Sequence, residues 1–264
     1  MKKLMLTLGF AALCGAVLPA HAAIESETVG YNTVTLKPGF NLLAINFKNL
    51  GTEDQTISLN ELFTGGSTAA FTAGSSIPKA DTIQVWDGSG YSYYFMYKQA
   101  KGSGDKDYKW VDGSVNVTDK TFKNGDSFWF LSRAESDVVV TVSGLVEVAA
   151  KKTIDILPGY NMIGSFFPAG LALNDDTYYT PTYWQNSGAV AGSSIPKADT
   201  IQVWDGSGYT YYFLYKQAKG SGDKDYKWVD GSVNVYTDPI LLPGKGAWYL
   251  HRGNGMTLEI KSPL

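Results

Sequence analysis

Apolar and polar positions alternate along TIQVW (residues 82–86) and YSYYFM (91–96), with Asp87-Gly88-Ser89-Gly90 between them. Alternation sends successive side chains to opposite faces of a strand, and an Asp/Gly-rich break between two such runs predicts a β-hairpin. With either a two- or a four-residue loop, Trp86 pairs with Tyr91, Gln84 with Tyr93 and Thr82 with Phe95. Paired residues lie on the same side of a sheet, so these six share one face. Ile83, Val85, Tyr94 and Met96 share the other with Ser92. That second face is mostly aliphatic, as a core requires. The first mixes Trp and Tyr with Gln and Thr, and two outcomes are open for it: an exposed aromatic surface, or a sheet buried on both faces with tyrosine hydroxyls reaching the rim.

The pattern occurs twice. Residues 74–117 and 192–235 differ only at Ser92/Thr210 and Met96/Leu214, so Trp204, Tyr209, Tyr211, Phe213, Gln202 and Thr200 repeat the mixed face. Outside this block the halves align more loosely: VTLKPGFNLLAINF (34–47) with IDILPGYNMIGSFF (154–167), and KNGDSFWFLSR (123–133) with LPGKGAWYLHR (242–252). Lys37-Pro38-Gly39 and Leu157-Pro158-Gly159 carry the Pro-then-Gly chemistry of a type II turn. Gly102-Ser103-Gly104-Asp105 begins a further reversal before YKWV, and helix is limited to a turn or two near residues 59–63. The expectation is an all-β chain of two tandem, internally duplicated antiparallel domains, sandwich or barrel-like, over residues 23–146 and 147–264. Each half is long enough for its own core, and two units are too few for a solenoid. The central block is far more alike than its flanks. Recent recombination and selection for one common surface both account for that, and the residues do not separate them.

Composition agrees with sheet: 17 Tyr, 12 Phe, 7 Trp and 29 Gly, without long amphipathic helical patterns. The N-terminus adds a compartment. Lys2 and Lys3 precede an apolar run from Leu4 to Leu18, and Ala20-His21-Ala22 is a small-x-small cleavage site, so residues 1–22 read as a signal peptide cut after Ala22. Cleavage removes Cys14, the sole cysteine, and shifts the net charge from −3 to −5 because Lys2 and Lys3 leave with it. The exported chain, periplasmic, surface-bound or released, then has no thiol chemistry. It also has no basic cluster for nucleic acid, and no second apolar stretch long enough to make it an integral membrane protein through helices.

Catalytic chemistry finds little to work with. A Ser-His-Asp arrangement needs a proton-shuttling histidine, and after cleavage only His251 remains, in WYLHRG. Carboxylate pairs suited to glycoside hydrolysis would come from Asp81, Asp87, Asp105, Asp107 and Asp112, or from Asp199, Asp205, Asp223, Asp225 and Asp230. Most stand beside Gly or Lys in turn-like strings, where Asp caps backbone amides. Around Asp105-Lys106-Asp107 the lysines Lys106 and Lys109 intrude among the oxygen donors and no Glu closes the loop, which favours a self-neutralising surface turn over the alternative of a calcium site. No enzyme activity, metal or cofactor is therefore expected.

The strings Gly39–Ala44, Asp81–Tyr91 and Gly125–Trp129, with Gly159–Gly164, Asp199–Tyr209 and Gly244–Trp248, follow G-[FY]-N-[LM]-[LI]-[AG], D-T-I-x-V-W-D-G-x-G-Y and G-x-[SA]-[FW]-[WY]. In the last of these Lys245-Gly246-Ala247 replaces Asp126-Ser127-Phe128 one residue out of step, a weaker match. The set resembles β-rich repeats of uncharacterised secreted bacterial proteins of Verrucomicrobia, Planctomycetes and their neighbours. The resemblance covers most of the chain beyond residue 22 and implies secretion and a β-fold only.

Three roles compete: an extracellular or surface binding module, a self-associating structural or surface-layer component, and a carbohydrate-active enzyme. The scarcity of His and Cys disfavours the third. For the first, the ligand-binding residues expected are Trp86, Tyr91, Tyr93 and Gln84, with Trp204, Tyr209, Tyr211 and Gln202 in the second copy. Flat rings with polar edges suit an extended glycan or surface polymer, with Lys98 and Lys216 nearby. If the signal reading holds, intact-mass measurement of the exported protein finds Ala23 at its N-terminus, whereas a retained Met1 contradicts cleavage.

Overall fold

The structure is a computed structural model that describes residues 28–49, 55–63 and 70–264. The expected signal peptide lies outside the described residues. The first repeat runs β1 (Val29–Leu36), β2 (Gly39–Ala44), β3 (Phe47–Lys48), β4 (Ile57–Ser58), β5 (Thr82–Trp86), β6 (Tyr91–Met96), β7 (Trp110–Val111), β8 (Thr121–Phe122), β9 (Ser127–Ser132) and β10 (Val138–Val146). The second runs β11 (Lys151–Ile156), β12 (Gly159–Gly164), α1 (Pro181–Asn186), β13 (Thr200–Trp204), β14 (Tyr209–Tyr215), β15 (Lys227–Val229), β16 (Gly246–His251) and β17 (Met256–Lys261).

Each repeat builds a five-stranded antiparallel sheet in the same order, β2-β9-β5-β6-β7 and β12-β16-β13-β14-β15. A smaller sheet covers one face of each: β1-β10-β3 in the first repeat and β11-β17 in the second. The core of the first repeat joins Ile83, Met96, Phe128 and Phe130 of the large sheet to Val34, Leu36 and Val140 of the small one. In the second, Ile163, Ile201, Leu214 and Tyr249 meet Ile156, Leu258 and Ile260. Each large side chain so enclosed contributes about 1.5–3 kcal/mol. The chain is thus all-β, with two antiparallel sandwiches in tandem.

The hairpin has the register its alternation predicts. Trp86 opposes Tyr91, Gln84 opposes Tyr93 and Thr82 opposes Phe95, and the second copy repeats each pair. Ile83, Val85, Tyr94 and Met96 face the core. The shared Pro-Gly-aromatic-Asn string also acquires a reason. Gly39 and Gly159 both stand at φ 89°, the left-handed position of a type II turn. The side chain of Asn41 closes that turn, accepting from Lys37 N–H and donating to the carbonyls of Lys37 and Gly39. Asn161 does the same for Leu157 and Gly159.

Three details depart from expectation. The pair β9–β5 sets Trp129 opposite Gln84 and β16–β13 sets Trp248 opposite Gln202, so residues 125–129 and 244–248 are in step, not one residue apart. Asp126 therefore corresponds to Lys245, and Ser127 to Gly246. Residues 59–63 form a turn, while the one α-helix among the described residues is α1, which the alternation did not reveal. Thr180 caps it by accepting from Tyr183 N–H, Pro181 opens it, and buried Trp184 fixes it by stacking on Tyr179 at 5.4 Å. No helix among the described residues is long and apolar enough to cross a membrane.

The hairpin loop makes a pH prediction. One oxygen of Asp205, Oδ1, accepts from the backbone N–H groups of Ser207 and Gly208 and from the Ser207 hydroxyl; Asp87 does the same with Ser89 and Gly90. The Ser207 amide first, then Gly208 and the hydroxyl, pull the Asp205 carboxyl down to about 2, and equivalent bonds lower Asp87. A carboxyl lowered by folding adds stability above its unfolded pKa, near pH 4, and loses it as pH falls through the folded value. Asparagine keeps the Oδ1 acceptor and removes the titration. In urea unfolding between about pH 5 and about pH 2, Asp87→Asn/Asp205→Asn is expected to lose less stability than the wild type; parallel acid limbs for the two proteins would disprove the assignment.

Candidate ligand clefts between the repeats

The mixed face of each large sheet is divided between two kinds of cover. Toward one end, Phe95 and Val111 lie under Ile77, Tyr97 and Val115 of the same repeat, and Phe213 and Val229 are covered likewise. Toward the other end, the two repeats meet face to face. Leu42, Trp129 and Trp248 are buried there, with Trp86, Tyr91, Met162, Trp204 and Tyr209 packed around them. Trp86 presses edge-to-face on Trp248 with centroids 6.0 Å apart, and Trp204 presses on Trp129 at 5.7 Å. Each hairpin tryptophan therefore contacts the other repeat's counterpart of its own neighbour, the reciprocity of a two-fold dimer interface built within one chain. Such pairs contribute about 0.5–1.5 kcal/mol each beyond the area they bury.

The remaining expected ligand residues stay together on the mixed face of each hairpin but differ in exposure. Tyr91 and Tyr209 are half-buried, and their phenol pKa values are raised chiefly by burial. Gln202 is buried, its amide turned back to the Thr200 hydroxyl, and Gln84 is half-buried. Tyr93 and Tyr211 are exposed at 43% and 39%. In each copy the four residues share one face, but the junction leaves only Tyr93 and Tyr211 exposed, and Trp86 and Trp204 wall two separate clefts.

Close approach of the backbones permits the contact. Gly164 and Gly246 oppose each other on the mixed face of the second sheet. A Cβ on Gly164 would run into Cβ of Ala44 and Oγ of Ser127, and one on Gly246 into the Leu43 carbonyl. Asn46 then crosses the junction: it donates to the carbonyls of Ser165 and Phe167 and accepts from Gly244 N–H.

The two clefts flank this junction as near-symmetric counterparts. The larger, of about 560 Å³, is walled by Trp86, Phe122, Asn124, Ser127, Tyr160 and Phe166 among others. The smaller, of about 330 Å³, holds Trp204, Leu42, Lys37 and Lys245. The symmetry fails in the polar groups. Trp204 Nε1 donates to the Phe40 carbonyl at 2.7 Å, whereas Trp86 Nε1 is buried without a partner. Asn124 Oδ1 and Nδ2 and Ser127 Oγ are also buried and unpartnered. The three residues that carry these four atoms all line the larger cleft. Buried polar groups are normally bonded, so their concentration marks the cleft as its least satisfied wall. Repeat comparison missed Asn124, Ser127, Lys37 and Lys245. The available signal was the exchange of Lys37 for Leu157 and of Asp126 for Lys245 between the aligned flanks.

The carboxylates are engaged elsewhere. Asp107 accepts from Gln99 and Gly104 N–H, Asp112 from Ser114 and Asn116, and Asp225 and Asp230 reproduce both sets. Buried Asp81 holds Thr72 and Arg133 N–H, and its pKa is raised chiefly by desolvation. Asp199 holds Val190 and Arg252 N–H, and in addition the Tyr249 hydroxyl and His251 Nδ1. The outer nitrogen of His251, Nε2, is buried with no partner, so no hydroxyl nucleophile is aligned on it. Among the described residues no group of three His, Cys, Asp or Glu side chains is placed to hold a metal ion. Comparison with protein-family models, with curated proteins and with solved structures finds no match.

The glycine pair supplies a stability test. Gly164→Ala should force the sheets apart at Ala44 and cost about 1–3 kcal/mol, as overpacking does elsewhere. Chemical denaturation reads the loss. A variant as stable as the wild type would show that the repeats do not rely on this contact.

Proposed function

We propose that the chain is an exported, non-enzymatic binding module whose larger inter-repeat cleft takes a neutral glycan or a similar polyhydroxylated polymer. The observation that carries this reading is that three residues of one wall, Trp86, Asn124 and Ser127, carry four buried polar atoms without a partner. An amide that nothing in the protein holds can turn toward the cleft and offer both a donor and an acceptor, which a sugar hydroxyl matches. Trp86, Phe122 and Tyr160 add ring surface for the apolar face of a sugar. Lys120 and Lys123 stand against Asp87, Asp126 and Asp155 around the same cleft, a near balance that suits an uncharged ligand. Export rests on the signal-like residues 1–22.

Self-association is the second reading, favoured by one feature. Tyr31 and Val139 are exposed on the outer face of the β1–β10 pair. Light scattering distinguishes the two roles, because a concentration-independent monomer leaves no room for assembly.

The binding reading is tested by calorimetry of the mature chain against soluble neutral oligosaccharides, with Asn124→Ala as the variant. Removing a group that lacks a partner leaves no new unsatisfied atom, so the melting temperature should hold. Affinity is expected to fall by about tenfold, the loss of one good hydrogen-bonding group. Absence of binding by the wild type, or full affinity in the variant, ends the assignment to this cleft.

A further inference from the structure

The smaller cleft differs from the larger in charge at two equivalent positions. Lys37 stands where the second repeat has Leu157, and Lys245 where the first has Asp126. Both lysines line the cleft, whose other walls include Leu42, Val203, Trp204 and Leu242, with the carboxylate-bearing Asp205 at its edge beside Lys37. Lys245 follows Gly244 into β16, and its backbone is fixed by an antiparallel bridge to Leu43 of the opposite repeat. Its side chain is thereby held in the junction and has little freedom to retreat to solvent.

Among the described residues neither ammonium forms a close ion pair, although the Asp205 carboxylate lies near enough to Lys37 for the two charges to attract. The ion pairs of the described residues involve Lys48, Lys151, Lys152, Lys216, Lys261 and His251, but not Lys37 or Lys245. The nearby Asp205 carboxylate already accepts from Ser207 and Gly208. Lys37 Nζ donates to the Asp205 backbone carbonyl at 3.1 Å instead. Desolvation, and secondarily the charge of Lys37, lower the Lys245 pKa below the ordinary lysine value. A cation set among apolar walls beside a second cation is unfavourable until an anion joins them.

We infer that the smaller cleft is a binding site for a small organic carboxylate, held between Lys37 and Lys245 with its carbon skeleton against Trp204 and Leu42. A carboxylate accepts from two ammonium groups at once, while Leu42, Val203 and Leu242 reward a ligand that carries apolar surface beside its charge. A fully hydrated inorganic anion gains nothing from those walls. The site is separate from the larger cleft and independent of the reading given to it.

The test uses the mature full-length chain at low salt and neutral pH, with glucuronate as the probe, glucose as its uncharged analogue and inorganic phosphate as the anion without a carbon skeleton. Calorimetry is expected to give glucuronate a Kd on the order of 1 mM, with glucose and phosphate at least about tenfold weaker. Lys245→Met should weaken glucuronate by about tenfold or more, with an unchanged or higher melting temperature because a desolvated cation is gone. Lys37→Met, at an exposed turn, should weaken it without touching the fold, so the test survives if the Lys245 variant misfolds. The titrations are repeated in the Asn124→Ala background, so that glucose or glucuronate taken up by the larger cleft does not enter the comparison. Equal affinity for glucose, equal affinity for phosphate, or undiminished binding in the folded lysine variants overturns the proposal.

Discussion

The junction rests on two tryptophans that exchange places. Trp86 lies against Trp248 and Trp204 against Trp129, each hairpin completing the other repeat's apolar face. Removing either ring would open a cavity at the centre of the junction, where Leu42, Trp129 and Trp248 are buried. The arrangement is possible only because Gly164 and Gly246 let the sheets approach to backbone distance and Asn46 satisfies the carbonyls that approach would otherwise strand. Burial in this region is therefore a property of the pair. A single repeat would expose the same tryptophan, tyrosines and leucine to water, a patch of the kind that soluble monomers seldom leave open.

A reciprocal contact between two unlike halves leaves differences at equivalent points, and those differences are where ligand chemistry becomes possible. Phe166 fills the space over Gly125 on one side, while Asn46 occupies the matching position beside Gly244 on the other. Trp204 finds the Phe40 carbonyl and Trp86 finds nothing. The duplicated block supplies both tryptophans, but the clefts are distinguished almost entirely by the flanks, at Lys37/Leu157, Asp126/Lys245 and Ser127/Gly246. Identical hairpins thus serve two sites of different polarity.

The near-identity of residues 74–117 and 192–235 also has a structural side. Most polar side chains of the block bond within it: Asp87 in the hairpin loop, Asp107 with Gln99 and Gly104, Asp112 with Asn116, and Lys106 with the Val115 carbonyl. The second copy repeats these bonds. Even the left-handed backbone at Tyr108 and Val115 recurs at Tyr226 and Val233, strained for a β-branched residue and held by packing on Phe95 or Phe213. A block with many internal polar contacts tolerates being copied whole, because its loops need few partners elsewhere to change with them. This holds whether recombination or selection kept the copies alike.

Local chemistry was legible in the letters. Alternation determined the hairpin register and which side chains face the core, Pro-Gly determined the turns at Lys37–Asn41 and Leu157–Asn161, and Asp beside Gly determined the loops, because each depends on neighbours a few residues apart. Helix α1 was legible in principle from Thr180-Pro181 but too short to leave a period. The tertiary structure alone decided what covers the mixed face. A period of two says on which side of a sheet Trp86 lies; whether that side meets water, ligand or protein depends on Trp248, which is far away in the chain and brought there by folding. The same is true of the unpartnered atoms of Asn124 and Ser127 and of the uncompensated charge of Lys245. A missing partner is a statement about every residue that could have come near and did not, and only the folded chain makes it.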